Sequence, residues 1–493
     1  MAIEFSPMEL EQSINNKIEF TDNGLFLIAD DDEITAGDLL TAVNYHIHHF
    51  GSKYKKEHDY YVGDHSIGHL PPKEPWKPDN RIVYNFPKKA VNTFNGFFIG
   101  TPIKYSYSDK NVSDELMSWL AANSMDDVDA EVAKMASMYG RAYYLLYQDD
   151  QPAEGPDGQS QFNTLITWKS PIDTFLIYSA DYKRRVRYGV TYRRDASNRL
   201  IITLYTDRTY SIYVENTEEA DWYLNSLQSF THPFGMVPII EAPENEERQA
   251  LCEDIVTLID AMDKAMSEKA NDVDYFADAY LVLKNAYVDD KQVKEIRSNR
   301  LININGENAA SADANFLAKP DADTTQENLI NRLVDAMYQI SNVVNLEDDS
   351  FSGNISGVAL QMKFQAMQDM ARTKSLKFRK ALRQVIQAWA NVKRIPLDQA
   401  KLDIKFTQSI PHNLTEEANF VSALYGKVPT EILYRQLSFI DDPKAAVEEL
   451  KEEQRMQAAD TASMLTDAMR GDNGGAEREG SEEENSPAAN RRR

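Results

Sequence analysis

From Val358 to about Ile395 the sequence contains neither glycine nor proline. A helix over these roughly 38 residues would be about 57 Å long at 1.5 Å per residue, well beyond an ordinary globular helix. Leu360, Phe364, Met367, Ala371, Phe378, Leu382, Val385, Trp389 and Val392 trace one apolar stripe along it, interrupted near Lys374 and Ser375. One small core cannot cover such an element. A chain of 493 residues built around it must contain two or more folding units.

The same helix is strongly basic. Between Gln361 and Arg394 there are nine basic residues against one acidic residue, Asp369, a net +8, in a chain whose net charge is −25. Segment 244–278 is the counterpart, with eleven acidic and three basic residues, a net −8. Two roles therefore stand open for the basic helix: pairing with the acidic segment, or proximity to nucleic acid. An overall excess of acid argues against gripping DNA over the whole surface.

Ahead of these segments the chain divides in two. The first ~130 residues read as mostly helical with loops, including the proline-rich "LPPKEPWKPDN". Strands follow. "RAYYLLYQ" and "FNTLITWK" flank a turn-rich insert and predict a long hairpin. "RRVRYGVTYRR", "RLIITLYT" and "TYSIYVEN", separated by short polar turns, predict an antiparallel meander. After Pro243 the spacing of Leu251, Ile255, Leu258, Met262 and Met266 predicts a helix. A short mixed region follows, with strand-like "AYLVLKNAYV", helical "DDKQVKEIRSN" and "RLININGENAASADANFLAKP". A second helix then opens on a capping box of Thr324 and Glu327. Beyond the long helix, "KLDIKFTQ" predicts a strand and three further helices run to about Arg470. The last ~23 residues are low-complexity and are expected to be disordered. No internal repeat is evident.

The chemistry of an enzyme is hard to find. No phosphate-cradling G-x-x-x-x-G-K-[ST] occurs. "GNISG" has the wrong order for a nucleophile elbow, and Ser356 reads better as the N-cap of the long helix. His46 and His49 share a helical face but lack a third ligand at a familiar spacing. Glu347, Asp348 and Asp349 read as solvated carboxylates. No cofactor or metal site is expected. The single cysteine, Cys252, excludes an internal disulfide and suits a reducing compartment. Neither a signal peptide nor a membrane span is legible.

Four stretches in this order carry a likeness to a known family: "YYVGDHSI" with "NRIVYNFPKKAVNTFNGFFIGTPIKYS"; the helix, small insert and helix from Glu244 to Leu346; "SGVALQMKFQAMQDMARTKSLKFRKALRQVI"; and "IPHNLTEEANFVSALYGKVPTEILYRQLSFIDDPKAAVEELKEE". The chain resembles the SPP1-type portal proteins of tailed double-stranded DNA bacteriophages. The resemblance implies an α+β, mostly helical portal fold, with a wing at 1–243, a stem helix at 244–275, a clip at 276–323 and a second stem helix at 324–345. It further implies a tunnel loop at 346–357, a long helix and strand returning to the wing at 358–410, a helical crown at 411–470 and a tail at 471–493.

It also implies function. Twelve copies would form a ring at one capsid vertex in the virion, after assembly in the host cytoplasm. The ring would pass double-stranded DNA during packaging and ejection. Its partners would be the terminase large subunit, whose ATPase supplies the energy, the head-completion adaptor, and the major capsid and scaffolding proteins, with no membrane involved. An acidic stem would keep DNA centred without binding it.

The tunnel loop would comprise Glu347, Asp348, Asp349, Ser350, Phe351, Ser352, Gly353, Asn354, Ile355, Ser356 and Gly357. Arg372, Lys374, Lys377, Arg379 and Lys380 would either approach DNA or pair with the stem. Lys291, Lys294 and Arg297 would dock a partner at the clip. A non-viral helical scaffold or adaptor is the main alternative, and a DNA-processing enzyme a more distant one.

Overall fold

A computed structural model describes residues 17–459, except 76, 150–152, 155–159, 162, 217–222, 278–280, 285–312, 317–322, 348–356, 409–413, 435–436, 438–439 and 441–445. The chain divides into two compact units, one of Met1–Ile355 with Ala359–Ser409, the other of Ser356–Val358 with Ile410–Arg493.

The first unit opens with β1 (Ile18–Phe20), β2 (Phe26–Ile28), α1 (Ala36–Tyr45) and α2 (Gly51–Val62), the two helices joined by a π turn over His46–Phe50. Then come α3 (Phe86–Ile99), β3 (Lys104–Tyr107), α4 (Lys110–Ala122) and α5 (Met125–Tyr139). The strands are β4 (Arg141–Gln148), the short β5 (Ala153–Glu154) and β6 (Ser160–Gln161), β7 (Thr164–Lys169), β8 (Thr174–Ser179), β9 (Val186–Arg194), β10 (Leu200–Tyr205), β11 (Thr209–Asn216), β12 (Tyr223–Thr231) and β13 (Ile239–Pro243). Next follow α6 (Val256–Ala277), β14 (Leu281–Lys284), β15 (Asp313–Phe316), α7 (Asp323–Ser341), α8 (Gly357–Lys393) and β16 (Leu402–Lys405).

The predicted meander is present: β9, β10 and β11 pair antiparallel in sequence order, and β12 continues it. It belongs to a seven-stranded sheet ordered β1-β2-β8-β9-β10-β11-β12, in which β2 and β8 run parallel. The predicted hairpin is β4 against β7, with β13 on the other side of β4. Inward residues of β2, β8, β9 and β10, such as Phe26, Phe175, Val190 and Ile202, meet Leu39 and Val43 of α1 in one apolar core. The sequence reading missed β1, β2 and β3, whose three or four residues are too short to show a two-residue period.

Two helix starts differ from expectation. The helix after Pro243 begins at Val256, because residues 244–255 are held as a loop and a 3-10 turn against the first unit's core. The Glu244 amide donates to the Gly140 carbonyl at 2.9 Å, and that of Leu251 to the Ser137 carbonyl at 2.9 Å. Gly140 lies at φ +79°, and a Cβ there would stand 2.0 Å from the Arg248 carbonyl oxygen, so only glycine permits this approach. The second case is α7, which already includes Asp323. Thr324 is therefore inside the helix rather than its cap, and Glu327 instead pairs with Lys269 of α6.

The second unit holds α9 (Leu414–Leu424), α10 (Thr430–Tyr434) and a helix over 446–459. Gly426 at φ +79° turns the chain after α9.

Candidate functional site

α6 and α7 form an antiparallel pair. Near the end of α6, Lys269 pairs with Glu327 and Asp272 accepts from the Gln326 amide at 2.9 Å, both partners lying at the start of α7. β14 and β15 pair antiparallel between the two helices, Leu281 opposite Phe316. Asn342, at φ +55°, follows the last residue of α7 in the left-handed conformation that commonly stops a helix.

The polar face of α6 is read by the first unit's loop. The backbone amides of Asn80, Ile82 and Tyr84 donate to side chains of Asn271 (2.7 Å), Ser267 (2.9 Å) and Asp263 (2.7 Å). Alternate amides of an extended chain recur about every 6.7 Å, and every fourth helical residue about every 6.0 Å. The two periods are close enough for a three-rung ladder of side chain to backbone.

Asp263 closes it at one end. Its other oxygen lies 2.5 Å from His65 Nδ1, and His65 Nε2 lies 3.0 Å from the Tyr60 carbonyl. With both ring nitrogens facing acceptors, this geometry is best satisfied by the protonated, two-donor form of the buried His65. Burial alone would depress its pKa, but the hydrogen bond and charge of Asp263 raise it above the ordinary histidine value. One turn earlier, Asp260 accepts from Tyr60 (2.5 Å) and Ser66 (2.7 Å). Asn80 also donates through its side chain to Asp274 at 2.5 Å.

Of the ten described carboxylates in segment 244–278, eight thus find partners within the chain. Besides Asp260, Asp263, Asp272 and Asp274, Glu253 pairs with Lys53 at 2.8 Å, Glu268 with Lys73 at 2.9 Å, Glu244 with Lys374 at 2.7 Å and Glu246 with Lys377. Glu244 and Asp263 are buried, whereas Glu246, Glu268 and Asp274 are paired yet stay exposed. The missed signal was the 3–4 spacing of Asp260, Asp263, Ser267, Asn271 and Asp274, a polar stripe distinct from the apolar one.

The basic residues of α8 divide sharply. Lys374 is 1% exposed. Its ammonium donates to Glu244, to the Ser137 hydroxyl (2.7 Å) and to the Ala133 carbonyl (2.9 Å), beneath the rings of Phe94, Phe98 and Phe378. Burial lowers its pKa, opposed by Glu244. Lys374 thus forms a buried ion pair with Glu244. Lys377 is engaged by Glu246. Arg379 donates through Nε to the Ile404 carbonyl at 3.2 Å and lies over Phe406. Arg372 and Lys380 are exposed.

Of the expected tunnel-loop residues, Glu347 and Gly357 are described. Glu347 pairs with Lys89 of α3 at 2.9 Å, and Gly357 is the first residue of α8. Asp348 to Ser356 lie outside the described residues, as do Lys291, Lys294 and Arg297. His46 is buried, stacked on Phe175, with Nδ1 2.8 Å from the Tyr192 hydroxyl. Burial pushes its pKa down to about 3, so it serves as a neutral core residue.

A second buried network fixes the base of the loop that carries Glu244. Arg248 grips Glu241 through two bonds of 2.9 Å, and Arg141 joins at 3.4 Å. Burial would raise the Glu241 pKa, but the two guanidinium groups, Arg248 foremost, hold it at about 2. No helix among the described residues is long and apolar enough to cross a membrane.

Residues 41–460 match the family model for phage portal protein, SPP1 Gp6-like. The chain is 23% identical over 405 residues to the portal protein of Clostridium phage phiCD119, covering 77% of this chain and 86% of that one. It is 22% identical over 421 residues to the portal protein of Bacillus phage SPP1, covering 79% of each. With the match extending through the helix pair, the long helix and most of the second unit, the chain belongs to the SPP1 Gp6-like family of phage portal proteins.

Proposed function

We propose that this chain closes into a twelve-membered ring at one vertex of a capsid and serves as the channel for DNA entry and exit. The observation that carries this reading is the α6–α7 pair. Val273, Leu329 and Ile340 on its outer surface are 64%, 52% and 51% exposed. Apolar helix faces left uncovered by their own chain call for a neighbour. Repeating one heterologous contact around a closed axis yields a ring. The second unit adds Phe420, Tyr425 and Met456, at 51%, 61% and 67% exposed.

In this reading α6 and α7 are the stem, the insert between them is the clip, and 346–357 is the tunnel loop. The second unit is the crown. The clip docks the terminase large subunit during packaging and the head-completion adaptor afterwards, through Lys291, Lys294 and Arg297. Capsid and scaffolding proteins surround the ring. Pairing within the chain gives the stem's carboxylates a supporting task beside any repulsion of DNA: they hold the stem to the wing as DNA moves past. Gly353 and Gly357 would let the tunnel loop change shape.

Packaging tests the reading. Capsids assembled with the intact chain and supplied with terminase and ATP should take up DNA, and capsids lacking the chain should stay empty. Substituting Gly353 and Gly357 with β-branched residues should shorten the packaged DNA or let it leak while capsids still form. DNA uptake by capsids without the chain would remove it from the packaging route.

A further inference from the structure

The outward cations of α8 form part of a concave surface. Arg379, Lys380, Arg383, Gln384, Gln387 and Gln399 line a cleft of about 510 Å³. Among the described residues, no carboxylate lines it. Gln387 and Gln399 are bonded to each other at 2.9 Å, and Arg379 is anchored through Nε to Ile404. The two terminal nitrogens of Arg379, with Lys380 and Arg383, remain as donors. Glu246 is engaged by Lys377. This is a cationic cleft on a chain of net charge −25.

Its apolar content separates two classes of occupant. Leu376, 58% exposed, and Met236 share the lining. A phosphate backbone has no use for an exposed leucine among the cations. A protein surface does, since interfaces combine an apolar centre with a charged rim. Copies carrying a large net negative charge repel one another, so a cationic cleft is where a carboxylate from a second copy would be best received.

We propose that this α8 cleft takes acidic side chains of a neighbouring copy, making it a contact between subunits; the proposal rests on the ring reading above. Carbodiimide cross-linking tests it, applied to assemblies mixed from ordinary and isotope-labelled full-length chains. Lys380 should join to an aspartate or glutamate of a differently labelled copy.

In parallel, Lys380→Glu with Arg383→Glu should raise the protein concentration for half-assembly by ~10-fold or more at physiological salt, with less effect at high salt. Both side chains are exposed, so the variant should keep its urea midpoint. If it does not, the neutral Lys380→Gln with Arg383→Gln pair should show the same direction more weakly. Wild-type assembly of these variants with no cross-link between copies would overturn the proposal. So would normal assembly with impaired DNA retention, which would assign the cleft to DNA. Failure of the unmodified chain to assemble at all would instead bring down the ring reading beneath it.

Discussion

Segment 244–278 and helix α8 carry equal and opposite charge, −8 over one and +8 over Gln361–Arg394 of the other, yet they spend it differently. The acidic segment turns most of its carboxylates toward its own chain, where backbone amides, hydroxyls, a histidine and lysines receive them. α8 sends Lys374 and Lys377 inward to that segment and presents Arg372, Lys380 and Arg383 to solvent. Two ion pairs, Lys374 with Glu244 and Lys377 with Glu246, join the two segments directly. Balanced totals do not make two segments partners; burial decides residue by residue which charges are structural.

The largest effect should come from the inward side of α8. Lys374→Ala leaves Glu244 buried without its cation, and loss of one partner of such a pair costs about 3–5 kcal/mol. The urea unfolding midpoint checks it. Replacing Lys374 and Glu244 together by Met and Leu should recover most of the loss, and a double variant no better than the single one would deny the pairing.

The ladder of α6 comes next. Ser267→Ala strands the Ile82 amide and should cost about 1–3 kcal/mol. Hydrogen exchange should then accelerate at Ile82 and Tyr84 ahead of the strands of the seven-stranded sheet. Unchanged protection at Ile82 would break the ladder.

His65 gives the comparison a pH dependence. Its folded pKa is raised, so its pairing with Asp263 contributes fully below the unfolded histidine value of about 6.5. The contribution is lost as pH rises through the higher folded value. The stability difference between the wild type and His65→Gln should therefore be greatest in mild acid and shrink toward alkaline pH. A difference constant with pH would mean that His65 acts by packing alone.

Arg372→Ala marks the small end. On the exposed face of α8 it should change stability by no more than about 0.5 kcal/mol. A loss comparable to that of Lys374→Ala would show that exposure does not sort the cations of α8.

Much of this was legible in sequence. The long helix announced itself through a stripe sustained without glycine or proline, and the meander through alternation broken by polar turns. The interruption of the stripe at Lys374 was visible as well, but not its meaning. A lysine on an apolar face reads the same whether it reaches water or a buried glutamate, because Glu244 and Ser137 approach from more than a hundred residues away. The late start of α6 was hidden for a similar reason. Leu251 and Ile255 fit a helical period, yet the contacts at Gly140 and Ser137 hold 244–255 out of helix. The ladder escaped because its other half is backbone in a proline-rich loop, where side-chain patterns carry no signal.

The central claim, that these subunits close around a channel, is met most directly by the mass of the purified full-length assembly under native conditions. A chain of 56.1 kDa should give a single closed species near twelve times that mass, with a central opening when the same particles are imaged. A stable monomer at micromolar concentration across all salt conditions would contradict it.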